Sequence, residues 1–265
     1  MGAMNDPKVV ARQYANADGL NVRTSLHQKY SVNKEPYYDW VSKHYGIQPG
    51  MRVLELGCGT GCMWANPDRW LPAQAELYLT DLSEGMLEIA RHTVPERKNI
   101  SFALADIQAI PYEDQFFDLV IANAMLYHVP DLSRALSEVA RVLRPGGRFI
   151  CTTTGDNGMH AWFQRVLGMG ESPSLSFSLQ NGRRLLEPYF RRIERVDRED
   201  WLEVTDVEDL CAYVLSTMSF AYVRSWPEAE LKARLEFEMV DGVIRIPKEN
   251  GLFQCYEPIV TKIFD

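Results

Sequence analysis

The chain has 265 residues, 46% hydrophobic and 24% charged, which is long and apolar enough for a large buried core and excludes a disordered chain. Its 28 Lys and Arg against 36 Asp and Glu leave a net charge of −8, a poor surface for nucleic acid or anionic membrane. No apolar run reaches the ~18 residues of a membrane span, and the five cysteines lack zinc-site spacing, so they read as reduced thiols of a cytoplasmic protein.

Met1 to Pro7 carries no signal-peptide pattern, and Met1-Gly2-Ala3-Met4 reads as an expression remnant before a start at Met4. Asp6-Pro7 has the form of an N-cap with Pro at the first helical position, and Val10, Tyr14 and Ala17 fall on one helical face. A polar stretch from Asn21 to Lys34 follows, with Arg23, His27 and Tyr30. A second helix is expected from Glu35-Pro36, with Tyr37, Trp40, Val41, His44 and Tyr45 at helical spacing and Gly46 as its stop.

From residue 51 strands and helices alternate. Short apolar runs at 53–56, 77–81, 100–104, 119–122 and 149–153 fit strands buried on both faces of a parallel sheet. Ser83 can cap a helix carrying Met86, Leu87 and Ala90, and Asp131 one carrying Leu132, Leu136, Val139, Ala140 and Leu143. Repeated βα units imply an open, doubly wound sheet. Further on, helices are expected at 159–167, 185–190, 206–218 and 228–239, and strands at 192–204 and 252–256. The arginines between Arg183 and Arg198 alternate with acids and read as a solvated face.

The sharpest motif is Val53-Leu54-Glu55-Leu56-Gly57-Cys58-Gly59-Thr60-Gly61, a strand running into glycines at alternate positions. Glycines there permit positive φ and let a ligand approach the backbone closely. A dinucleotide fingerprint places its third glycine where this chain has Cys62, which favours a ligand without a pyrophosphate. Asp81 closes the second strand twenty residues past Gly61, at the sheet edge where ligands bind, and its carboxylate can accept from both ribose hydroxyls. Asp106 follows the third strand and can accept from an exocyclic amine, with Ile107 covering a ring face.

These residues resemble the class I S-adenosylmethionine-dependent methyltransferases of the small-molecule type. The resemblance rests on Val53–Gly61, Asp81–Leu87, Ala105–Ile107, Phe116–Ile121 and Leu143–Phe149, in order. It implies an α/β, Rossmann-like, doubly wound seven-stranded sheet with its last strand antiparallel. Residues 5–50 would form an N-terminal helical lid, 51–154 the S-adenosylmethionine-binding core, and 155–265 the rest of the sheet with added helices shaping the acceptor pocket. It implies Glu55, Gly57 and Gly59 at the methionine end of the cofactor, Asp81 at the ribose, and Asp106 with Ile107 at the adenine. Cys58, Leu82, Met86 and Asn123 join the cofactor contacts by the same resemblance. One departure is Pro67, which interrupts the helix expected after the glycine loop, with Trp64 and Trp70 flanking it.

In family members with a similar Leu-x-His-Val-Pro-Asp stretch, the loop after the fourth strand faces the methyl group, which makes His128 the candidate base. Tyr14, Arg23, Tyr30 and Tyr37 are the candidate acceptor contacts, since aromatic residues suit a cation or a flat acceptor. The expected activity is methyl transfer from S-adenosylmethionine to a small-molecule acceptor, without metal, nucleic acid or membrane as partner. The competing readings are a nicotinamide oxidoreductase on the same sheet and a non-catalytic cofactor-binding protein. Acceptor identity and oligomeric state are not encoded in any motif.

Overall fold

A computed structural model describes residues 17–170 and 174–259. The Asp6-Pro7 cap, Val10 and Tyr14 lie outside those residues. The chain divides into two compact units, and of the described residues the larger holds 35–153, 176–197 and 251–259. Of the described residues, the smaller holds 17–34, 154–170, 174–175 and 198–250. The first division, after Lys34, falls inside the segment expected to form one lid.

The strands are β1 (Arg52–Leu56), β2 (Glu76–Asp81), β3 (Ile100–Leu104), β4 (Phe117–Asn123), β5 (Leu143–Thr154), β6 (Phe190–Val204) and β7 (Ile244–Pro258). They form one seven-stranded sheet in the order β3-β2-β1-β4-β5-β7-β6. The ladders β1–β2, β1–β4, β2–β3 and β4–β5 are parallel, and the sheet is mixed, with its last strands antiparallel. Val53, Leu54, Leu56, Leu119, Val120 and Ile121 are almost wholly buried, as strands covered on both faces require. Because β1 lies between β2 and β4, the chain order reverses there, which is where open α/β sheets place ligands, beyond the carboxyl ends of the strands.

The helices are α1 (Ala17–Tyr30), α2 (Tyr37–Ser42), α3 (Glu84–Thr93), α4 (Leu132–Val142), α5 (Met159–Val166), α6 (Gly182–Leu186), α7 (Val207–Ser216) and α8 (Glu228–Glu236). Ser83 Oγ accepts from the Met86 amide and Asp131 Oδ1 from the Arg134 amide, so both expected caps form. Asp206 does the same for α7.

Three expectations are corrected. The polar stretch from Asn21 is helical through Tyr30; only Leu26 and Tyr30 are buried on its described face, so its sequence shows little periodicity. The helix expected at 185–190 runs instead from Gly182 to Leu186, because Pro188 has no N–H to continue the helical ladder, and Phe190 already begins β6. Arg198 is not on a solvated face: it is buried and donates to Asp200, whose side chain is 0% exposed. Lys248 Nζ and Ser31 Oγ donate to the same Asp200 oxygen, and the Asn33 amide donates to the other. With the Lys29 and Tyr30 bonds to Asp209 of α7, this network fixes the end of α1 within the smaller unit.

Candidate active site in the larger unit

The glycine loop follows β1 directly. Gly57, Gly59 and Gly61 have φ of +70°, +57° and +73°. They serve different ends. A Cβ on Gly61 would sit 2.8 Å from Val94 Cγ2 and 3.2 Å from Ala90 Cβ, so this glycine lets the loop pack on α3. A Cβ on Gly57 would meet Met125 at 3.1 Å, whereas one on Gly59 would meet nothing within 4 Å. Gly59 therefore presents bare backbone to open space. In place of the expected helix, two short 3₁₀ turns follow, Cys62–Trp64 and Pro67–Arg69.

Asp81 ends β2 as expected. Its Oδ2 accepts from the Gly59 amide at 2.9 Å and its Oδ1 from the Ser83 amide at 2.9 Å. A carboxylate has about four acceptor sites, so two backbone donors leave capacity for a ligand. Leu82 beside it is 61% exposed and Met86 is half-buried. Asp106 is half-buried and accepts from the Gln108 amide and side chain. Ile107 is buried in the core cluster with Leu54, Leu56 and Ile110, so its side chain packs inward.

Glu55 is 2% exposed in the middle of the sheet. Trp64 Nε1 donates to its Oε2, and Asn123 Nδ2 donates to its Oε1 at 2.7 Å. Burial pushes the Glu55 carboxyl up to about 7; the two donors oppose this and the charge of Asp81 adds to it. Asn123 Nδ2 also donates to the Tyr45 hydroxyl at 2.8 Å, while Asn123 Oδ1 is buried without a partner. Burial likewise pushes the Cys58 thiol up, so Cys58 is held as a neutral thiol.

At the end of β4, Ala124 takes φ of +50°, unusual for a residue with a Cβ. Its amide is held by the Thr152 carbonyl and hydroxyl, at 3.1 and 2.9 Å. The chain then enters the turn Leu126–His128, which leaves His128 half-buried with its ring 4.5 Å from that of Tyr127. Of the candidate acceptor contacts, Tyr37 is half-buried on α2 against Tyr38 and Trp40. Tyr30 belongs to the core of the smaller unit, with its hydroxyl on Asp209. Arg23 lies in α1, its side chain outside the described ones.

Sequence reasoning missed Trp64, Tyr45 and Tyr38 as site residues. Tyr45 stacks on Trp64 at 6.1 Å, and burial with the nearby Cys62 and Glu55 pushes the Tyr38 phenol up to about 12. The usable signal was an indole nine residues after a buried acid. Among the described residues there is no His, Cys, Asp and Glu cluster able to hold a metal ion, and no helix long and apolar enough to cross a membrane.

An open glycine backbone, a strand-end carboxylate and a buried unpartnered amide oxygen suit a ligand with ribose and amino-acid parts. The family profile described as a methyltransferase domain matches residues 54–151. The chain is 35% identical over 154 residues to a demethylmenaquinone methyltransferase of Staphylococcus aureus, covering 55% of this chain and 64% of that one. It is 34% identical to a ubiquinone/menaquinone biosynthesis C-methyltransferase of Serratia proteamaculans, covering 54% and 61%. It thus spans less than two thirds of the length of these relatives. In fold, it resembles a SAM-dependent methyltransferase from Aquifex aeolicus at TM-score 0.55 and 14% identity, covering 91% of this chain and 100% of that one. It also resembles phosphoethanolamine N-methyltransferase 2 of Haemonchus contortus at TM-score 0.59 and 16% identity, covering 98% and 61%. Residues 54–151, which carry the glycine loop, Asp81, Asp106 and Asn123, thus match a methyltransferase domain, and the seven-stranded sheet has the fold of solved methyltransferases.

Proposed function

We propose that the chain transfers a methyl group from S-adenosylmethionine to a small-molecule acceptor. The observation that carries this reading is the open backbone of Gly59, tied to Asp81, together with the Asn123–Glu55 pair on the adjacent strands β4 and β1. In this reading Asp81 accepts from the ribose hydroxyls and Asp106 from the adenine amine, and exposed Leu82 covers a ring face. Asn123 Oδ1 accepts a hydrogen bond from the ligand's ammonium N–H, with the Glu55 carboxylate next to it. When bound, the cofactor supplies a methyl group on a sulfonium, already activated for displacement.

The protein's part is alignment, exclusion of water and proton removal. His128, in the turn that follows β4, takes the proton of an acceptor hydroxyl as general base. The acceptor class this favours is a phenol or hydroquinone-type ring, whose oxygen or ring carbon becomes nucleophilic on losing that proton. The names of the Staphylococcus and Serratia relatives, which refer to quinone biosynthesis, point the same way.

The test is transfer of an isotopically labelled methyl group to a panel of hydroquinones, phenols, amines and thiols. Label on a hydroquinone or phenol supports the reading. Label only on amines or thiols removes both the acceptor class and the need for His128.

A further inference from the structure

Resting on the cofactor reading above, we propose that Tyr45 is a positioning residue for the amino-acid end of that ligand, acting through Asn123. Tyr45 is 1% exposed, its ring lies on Trp64, and its hydroxyl accepts from Asn123 Nδ2 at 2.8 Å. The second proton of that amide goes to Glu55 Oε1.

An amide nitrogen has two protons, and both are now spent. Tyr45 and Glu55 together therefore fix which way the amide faces. The amide oxygen is left pointing away from both, buried and without a partner. A buried acceptor with nothing to accept carries a desolvation cost that a ligand donor removes. The complementary group is a cationic N–H, because Glu55 contributes negative charge beside it. Tyr45 is itself clamped: its ring is stacked on Trp64, whose indole N–H is bonded to Glu55, and its carbonyl accepts from Arg148. The four side chains Tyr45, Asn123, Glu55 and Trp64 thus close a ring of contacts that fixes one unpartnered acceptor, Asn123 Oδ1.

The arrangement makes ligand affinity depend on pH. The groups facing Glu55 are Asp81 from β2, the Cys58 thiol on the glycine loop, Tyr38 from α2 and Tyr45 after it. None of these brings a positive charge. With its carboxyl at about 7, Glu55 is only part ionised at neutrality. A ligand ammonium favours the carboxylate, so affinity rises as pH increases through about 7. Removing the Tyr45 hydroxyl frees the amide to swing, Glu55 loses a donor to its charged form, and the rise moves to higher pH.

The experiment is calorimetric titration of wild type and Tyr45→Phe with S-adenosylhomocysteine, and with 5′-methylthioadenosine, which lacks the amino-acid end, across pH 6 to 9. The expected result is about a tenfold loss for S-adenosylhomocysteine in the variant at pH 7, with its affinity rise displaced upward, and unchanged affinity for 5′-methylthioadenosine. The unchanged nucleoside also shows that the variant is folded. Equal losses for both ligands, or an unmoved pH profile, overturn the role of Tyr45 while leaving the cofactor reading standing. Failure of wild type to bind S-adenosylhomocysteine at all overturns the cofactor reading itself.

Discussion

The amide of Gly59 donates to Asp81 Oδ2 at 2.9 Å, joining the turn after β1 to the end of β2. Asp81 therefore has two tasks, since the carboxylate that would receive a ribose also shapes the loop that would receive the rest of the ligand. The larger unit keeps these pieces on adjacent parallel strands, where the pairing Leu56↔Thr80 fixes their relative register.

Asp81→Ala is expected to weaken S-adenosylhomocysteine at least tenfold. Each hydrogen bond to a charged group contributes about 1.5–3 kcal/mol, and the Gly59 and Ser83 amides lose their acceptor too. The check is a binding isotherm alongside a far-ultraviolet spectrum; unchanged affinity removes Asp81 from the ribose site.

The loop glycines separate packing from binding. Gly61→Ala drives a methyl group against Val94 at 2.8 Å at a φ of +73°, so stability should fall by about 1–3 kcal/mol. Gly59→Val meets no protein atom within 4 Å of its Cβ, so its fold cost is limited to about 1–2 kcal/mol of backbone strain, but its side chain fills the space the ligand needs. Urea midpoints and titration with S-adenosylhomocysteine measure the two effects. Equal loss of binding in both variants would mean the space beside Gly59 is not where the ligand lies.

His128→Ala should lower kcat by roughly 10²–10⁴-fold for a hydroxyl-bearing acceptor and leave the affinity for S-adenosylhomocysteine unchanged. Steady-state rates with a hydroquinone acceptor give the first quantity and calorimetry the second. Near-normal turnover would return His128 to packing against Tyr127.

The smaller unit should be acid-sensitive through His27. Burial, then the charges of Lys248 and Arg198, push this imidazole down to about 4, against an opposing effect of Asp200. The unfolded chain binds a proton below about 6.5 and the folded one only near 4, so the stability from this group is complete above 6.5 and lost as pH falls from 6.5 to 4. The full span corresponds to about 3 kcal/mol. His27→Phe should flatten that part of a stability profile measured by urea unfolding. An unaltered slope between pH 6.5 and 4 would contradict it.

Much of the larger unit was legible because parallel strands buried on both faces leave short apolar runs ending in turn residues. Val53–Leu56 and Leu119–Ala122 stand out for that reason, and the caps Ser83 and Asp131 mark where the helices begin. The glycine loop was legible as a motif, but its division into packing and open glycines was not, since Val94 and Ala90 are about thirty residues away in sequence. Long-range polar contacts hid the rest. Tyr45 meets Asn123 across 78 positions, and Ser31 meets Asp200 across 169. Neither pair has a local spacing, and Arg198 read as surface because Ser31 and Lys248, which share its partner Asp200, are remote from it in the chain.

The most direct measurement is calorimetric titration of the full chain with S-adenosylhomocysteine and, separately, with NAD. The account predicts one S-adenosylhomocysteine site per chain, with Kd of roughly micromolar order, and no heat with NAD. Binding of NAD with none of S-adenosylhomocysteine would contradict the assignment of the glycine loop, Asp81 and Asn123 to a methyl-donor site.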